Sequence, residues 1–338
     1  MSAPLLIFTG CDSSLTRIPV QLSGQTMGTY FDIRFNEVPE GETKESILLK
    51  VEAELDRLNK LMSTWQSDSD LMQFNNSETT DWYPIHPEIE LVVANALDIS
   101  RLSGGTFDVT VGPLVEKWNF GVPQQDFHVP TEEELQTLSE YVGWELVETR
   151  RAEPALKKTN PHVFLNLSAI AKGYAVDRVG QVLEDTGIRN YLVNIGGEMV
   201  ARGKKPDKDY WHVAIEKPSA TSAAAPEVLK AIPLYNQALA TSGNYRNYFE
   251  DADGNRYSHT LDPRTRKPVT HQLLSVSVID KTCMRADALA TALMVMGPDE
   301  AREFVGQHQL AIYLVYRDTE GGQIEWSSPQ FKSATQNP

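Results

Sequence analysis

Asp287 and Thr291 stand four residues apart in Ala286-Asp-Ala-Leu-Ala-Thr291. On a helix that spacing puts both oxygens on one face, a turn apart. A carboxylate with a hydroxyl is hard-oxygen ligation of the kind magnesium accepts, leaving positions for water and phosphate. A solvated polar stripe would show the same spacing. The flanks argue against it, because Ala286, Ala288, Leu289, Ala290, Leu293 and Met294 predict a helix buried on most sides. A carboxylate on such a helix needs a partner.

Two more stretches offer chemistry. In Asn166-Leu-Ser-Ala-Ile-Ala-Lys-Gly-Tyr-Ala-Val-Asp177, a β-rich run from Val163 to Leu167 leads to a serine suited to cap a helix. Lys172 and Gly173 follow one turn in. Free backbone N–H groups at a helix start, with a lysine close by, make a phosphate site; an ordinary strand-to-helix junction would read alike. In Tyr257-Ser-His-Thr-Leu-Asp-Pro-Arg-Thr265, His259 shares a polar loop with Asp262, Arg264 and Thr265. Asp262-Pro263 opens a tight turn. A histidine fixed there could act as a general base or hold a ligand hydroxyl, or merely stabilise the turn.

Glycines in Gly104-Gly-Thr-Phe-Asp108, Gly196-Gly-Glu198 and Thr241-Ser-Gly-Asn244 would let backbone approach a ligand closely. None fits a Rossmann or P-loop pattern. A nucleophile elbow and zinc-spaced His/Cys sets are also missing from the sequence. The formal charge of −15 argues against a nucleic-acid partner. An anionic ligand must therefore be held by local devices: helix starts, a few basic side chains, or a metal.

The elements that must position these groups are legible in outline. A strand runs from Gln25 through Met27 to Phe35. Ile47, Leu48, Val51, Leu55, Leu58, Leu61 and Met62 give one apolar face to a helix that stops before Ser63-Thr64-Trp65. A second helix follows Pro87, with Ile89, Val92, Val93, Ala96 and Leu97 inward. Thr131 and Glu134 form a capping box. A helix over 168–186 precedes a buried strand, Tyr191–Ile195, and 217–227 reads as an exposed Ala/Ser/Pro loop. Strands at Ala238–Thr241 and Leu273–Ile279 lead to helices at 285–296 and 299–308, then a final strand Leu310–Tyr316. With 338 residues, 41% hydrophobic and 23% charged, and no linker that divides it, the chain reads as one large α+β domain.

The termini are read separately. Cys283 is expected to be a buried thiol. Cys11 follows Leu5-Leu-Ile-Phe-Thr-Gly10, the shape of a bacterial lipoprotein processing site, although a basic leader is lacking. With Asp12 resembling an inner-membrane retention signal, the expectation is a periplasmic, lipid-anchored body. Residues 1–22 would be signal remnant and tether, 23–329 the working domain, and 330–338 a disordered tail.

Taken in order, Thr26-Met-Gly-Thr29, Met62-Ser-Thr-Trp65, Gly105-Thr-Phe-Asp-Val-Thr110, Leu167–Asp177, Asn194-Ile-Gly-Gly-Glu198, Thr241-Ser-Gly243, Ser258–Thr265 and Ala286–Thr291 resemble the ApbE family, the FAD:protein FMN transferases. The resemblance implies an α+β architecture related to tunnelling folds. It implies Mg²⁺-dependent transfer of the FMN half of FAD onto a threonine hydroxyl of an acceptor flavoprotein, such as a subunit of the Na⁺-pumping NADH:quinone reductase, with AMP released. By motif, Met27, Trp65, Thr106, Phe107, Asp108, Asn166, Lys172 and Leu261 would meet FAD. The carbonyl of Ala169 with Asp287 and Thr291 would hold Mg²⁺, and His259 with Lys172 would serve catalysis. Three positions depart from the family pattern: Asn166 and Asn244 stand where Asp is common, and Arg266 where Gly is usual. Hydrolysis of FAD to FMN and AMP, or flavin storage without turnover, are the competing expectations; the bulky Trp65 favours transfer.

Overall fold

Eight strands form one antiparallel sheet and lie across it in the order in which they occur along the chain, with other elements inserted between some of them. They are β1 (Val20–Thr26), β2 (Thr29–Phe35), β3 (Tyr191–Ile195), β4 (Glu198–Arg202), β5 (Gln237–Gly243), β6 (Leu273–Asp280), β7 (Ala311–Arg317) and β8 (Gln323–Ser327). The computed structural model describes residues 18–121, 129–218, 227–244, 248–250 and 256–336. Cys11, Asp12 and most of the 217–227 loop lie outside them.

Successive side chains of a strand point to opposite faces, and here the two faces carry two cores. On β5, Ala238 and Ala240 join the larger core and Leu239 the smaller; on β7, Ile312 and Leu314 divide from Tyr313 and Val315 in the same way. The helices α1 (Lys44–Met62), α2 (Pro87–Leu102), α3 (Ala171–Asp185) and α4 (Cys283–His308) contribute to the larger core. The hairpin of Trp211–Glu216 with Val228–Leu234 covers the other face, together with α5 (Pro329–Gln336). The α+β expectation describes this architecture. Ile47, Val51, Leu55, Leu58, Leu61 and Met62 are all buried on α1, as their spacing predicts. The Thr131–Glu134 capping box forms, and Cys283 is a buried free thiol.

Several expectations need correction. The strand read from Gln25 is a hairpin: β1 pairs with β2 across a turn at Met27 (φ 48) and Gly28 (φ 71). The tether therefore does not extend to Leu22, which is 1% exposed and sits in the core opposite Ile33. Gln, Ser and Gly between its apolar residues had hidden the strand. Val163–Leu167 is extended but belongs to no sheet; the amide of Asn75 stands in for a partner strand, accepting from Leu165 N–H at 2.8 Å and donating to its carbonyl at 2.9 Å. By contrast, the two helices expected at 285–296 and 299–308 are both present, grouped here as α4 and separated at Gly297 (φ 78, ψ 178), immediately before Pro298. Strand β7 is not the last, since β8 follows it. Nor is the tail disordered over 330–336. Phe331 is 1% exposed and stacks on Tyr313 with ring centroids 5.4 Å apart. One aromatic anchor in the otherwise polar Pro-Gln-Phe-Lys-Ser-Ala-Thr-Gln sequence escapes a compositional reading.

Candidate active site

The site is built where α3 and α4 touch. Gly173 is required there: a Cβ would overlap the carbonyl oxygen of Cys283 and stand 2.8 Å from Asp287 Cβ. Close approach lets two carboxylates cross between the helices. Asp177 on α3 accepts the N–H groups of Cys283 and Met284, both at 2.9 Å, capping the start of α4. Burial pushes the Asp177 carboxyl up to about 6, against those two backbone bonds. In return, Asp287 Oδ2 on α4 accepts the Gly173 N–H at 2.9 Å. Ser168 thus does not cap α3 as the sequence suggested. The N-cap residue is Ile170, with no side-chain bond, and the Ser168 N–H donates to Asn166 Oδ1 at 3.0 Å.

Asp287 is 3% exposed and Glu198, the first residue of β4, is 5% exposed. Lys172 Nζ stands 2.7 Å from Glu198 Oε1 and 3.9 Å from Asp287 Oδ1. Burial opposes the Lys172 charge, but Asp287 and Glu198 outweigh it and hold the ammonium above its ordinary range. Burial raises the Glu198 carboxyl while Lys172 draws it back. Two buried carboxyl groups thus compete for one ammonium. The second Glu198 oxygen, Oε2, is buried without a hydrogen-bond partner among the described residues. A turn beyond Asp287, Thr291 Oγ1 lies 3.4 Å from Ser242 Oγ on β5.

These groups open into a cavity of about 490 Å³. Thr106, Phe107, Asp108, Asn166, Ala169, Lys172, His259, Leu261, Asp287 and Thr291 all line it, gathered from positions spread over most of the chain. Met27 and Trp65 do not. Met27 takes the left-handed corner of the β1–β2 turn and packs partly on the core, while Trp65, 78% exposed, turns to solvent beyond α1. Of the lining groups, Asp108 has a carboxyl pushed up by burial to about 6, against hydrogen bonds from Thr110. Asp108 Oδ1 accepts both the N–H and the hydroxyl of Thr110 at 2.7 Å. The His259 segment is tied to β5 by Asn244, whose Oδ1 accepts from the hydroxyls of Ser258 and Thr260. Arg266 adopts φ 61, the left-handed region a glycine would take easily, and its carbonyl accepts the Trp118 Nε1–H at 2.9 Å.

Asp287, Thr291, the Ala169 backbone and the unpartnered Glu198 oxygen are all hard donors, so the residues present fit a cation such as Mg²⁺. Among the described residues no group of three His, Cys, Asp or Glu could hold a metal. A cation would therefore lean on hydroxyl, carbonyl and ligand oxygens as well. Glu198 and Ser242, which lay in quoted motifs but received no role of their own, also line the cavity, as do Met294 and Val295. A signal for Glu198 did exist: the strand period puts it on the face of Val200, toward the helices.

The model of the ApbE family matches residues 27–314. The chain belongs to the ApbE family. Curated members similar to it include the FAD:protein FMN transferase of Vibrio cholerae, 38% identical over 330 residues, covering 98% of this chain and 96% of the relative. The Haemophilus influenzae protein of the same name is 39% identical over 323 residues, covering 94% and 92%. Among solved structures, the Vibrio cholerae flavin transferase ApbE superposes with a TM-score of 0.84 at 37% identity, over 94% of this chain and 99% of that one. The apo form of the Pseudomonas stutzeri flavinyl transferase ApbE gives 0.84 at 36% identity, over 95% and 98%. The ApbE fold thus extends over nearly all of the chain.

Proposed function

We propose that this ApbE-family protein transfers the FMN half of FAD to a threonine hydroxyl of an acceptor flavoprotein, releasing AMP. The observation that carries the reading is the convergence of Lys172, Asp287, Thr291 and His259 on one cavity. Phosphoryl transfer needs charge neutralisation and an oriented nucleophile, with little covalent work by protein groups. Bound Mg²⁺, held by Asp287, Thr291 and the Ala169 carbonyl, would supply charge neutralisation at the diphosphate. Lys172 holds a phosphate oxygen by an ion pair. Phe107 and Leu261 offer apolar surface to flavin or adenine. The acceptor oxygen bonds to the phosphorus of the FMN half as the phosphoanhydride bond to AMP breaks, and His259 takes the hydroxyl proton.

Subunits of the Na⁺-pumping NADH:quinone reductase are the acceptors this reading favours. On the same reading the body is periplasmic and carried by a lipid on Cys11; labelling with a radioactive fatty acid should mark wild type and not Cys11→Ala. Incubating the protein with FAD, Mg²⁺ and a candidate acceptor, then weighing the acceptor by mass spectrometry, tests the transfer. One added flavin mononucleotide on threonine supports it. An unmodified acceptor with free FMN accumulating would instead establish hydrolysis.

A further inference from the structure

Lys172 is the only lysine or arginine lining the cavity among the described residues, and it is already engaged. A phosphate oxygen would compete for its ammonium with Glu198 Oε1, 2.7 Å away, and the nearness of that ammonium to Asp287 Oδ1, 3.9 Å, opposes a cation there. Glu198 is 5% exposed and its Oε2 has no hydrogen-bond partner among the described residues. We infer that Glu198 is a positioning residue that holds the Lys172 ammonium beside Asp287, so that phosphate and divalent cation each release the partner the other needs. The inference rests on the phosphate and cation roles proposed above. Phosphate draws Lys172 away, which bares two carboxylates for the cation. A cation on Asp287 repels Lys172 toward the phosphate. Cation and dinucleotide therefore bind with positive coupling, and reciprocity requires the same factor in both directions.

Glu198→Gln keeps the shape and removes the charge. Calorimetry with FAD in EDTA, and paramagnetic resonance with Mn²⁺ in the absence of FAD, read the two sites separately. Glu198→Gln should bind metal-free FAD about tenfold more tightly, because Lys172 is released, and Mn²⁺ about tenfold more weakly, within the usual range of coupling between sites. Glu198→Asp should restore most of the wild-type behaviour. In a Lys172→Ala background, Glu198→Gln should no longer strengthen FAD binding. A purely structural glutamate predicts weaker FAD binding with a lowered melting temperature, and that result, or unchanged affinities, overturns the inference. Wild-type protein that binds neither FAD nor Mn²⁺ would overturn the functional reading beneath it as well; wild-type binding of both with an indifferent Glu198→Gln overturns this inference alone.

Discussion

Asp287 has two duties, and they can be separated chemically. One oxygen fastens α3 to α4 through the Gly173 N–H, and the other faces Lys172 and the cavity. Asp287→Asn keeps an acceptor for Gly173 and loses the charge. Transfer should fall by about 10²–10³-fold, as when a site loses its main electrostatic stabiliser, while the melting temperature moves by only a few degrees; a calorimetric scan beside turnover measurements checks both. His259→Ala should cost about 10²–10⁴-fold in single-turnover rate, the scale of general-base catalysis, with FAD affinity nearly unchanged. Equal losses in binding and rate would make His259 a ligand contact instead. For Asp108 the lever is pH. Burial raises its folded pKa to about 6 from 3.8, so between those values the folded state holds the extra proton. Stability from this group is thus lost as pH rises toward 6, to a limit on the order of 2–3 kcal/mol. Asp108→Asn should gain melting temperature relative to wild type between pH 4 and pH 7, and a constant difference would remove the carboxylate as the cause.

Helix packing decides whether those residues meet at all. The α3–α4 contact has no room for a methyl group at Gly173. Gly173→Ala should destabilise the fold by about 1–3 kcal/mol, the range for overpacking, and should also weaken Mn²⁺ binding, because Asp287 is displaced with its helix. Denaturant midpoints and metal titration together test this. The same contact shows what the sequence disclosed and what it withheld. The four-residue spacing of Asp287 and Thr291 and the apolar flanks around them correctly predicted a buried helix. The start of α3 was misjudged, because its capping carboxylate arrives from a residue more than a hundred positions away, and no local pattern records that. Strand β1 was missed for a different reason: Val20-Gln-Leu-Ser-Gly-Gln-Thr buries only every other side chain and offers few apolar residues to count. Glu198 was quoted only as the end of a glycine turn, because its burial depends on the strand's neighbours, which the local sequence does not record.

Across the whole molecule the sheet separates stability on one face from chemistry on the other. Phe331 belongs to the smaller core, and Asp287 sits on the helix that packs in the larger one. Phe331→Ala should lower stability by about 3–5 kcal/mol yet leave the dissociation constant for FAD unaltered; a matching loss of FAD affinity would show that the two faces are coupled. The charge of −15 also acts at this scale. A dinucleotide approaching so acidic a body depends on the few cationic devices inside the cavity, which is why the proposed mechanism gives a divalent ion a central place. The most direct test is anomalous diffraction from crystals grown with FAD and Mn²⁺. The account predicts a manganese peak within coordination distance, about 2.0–2.3 Å, of oxygens from Asp287 and Thr291 and of the diphosphate. Flavin bound in the cavity with its manganese elsewhere, or with none, would contradict it.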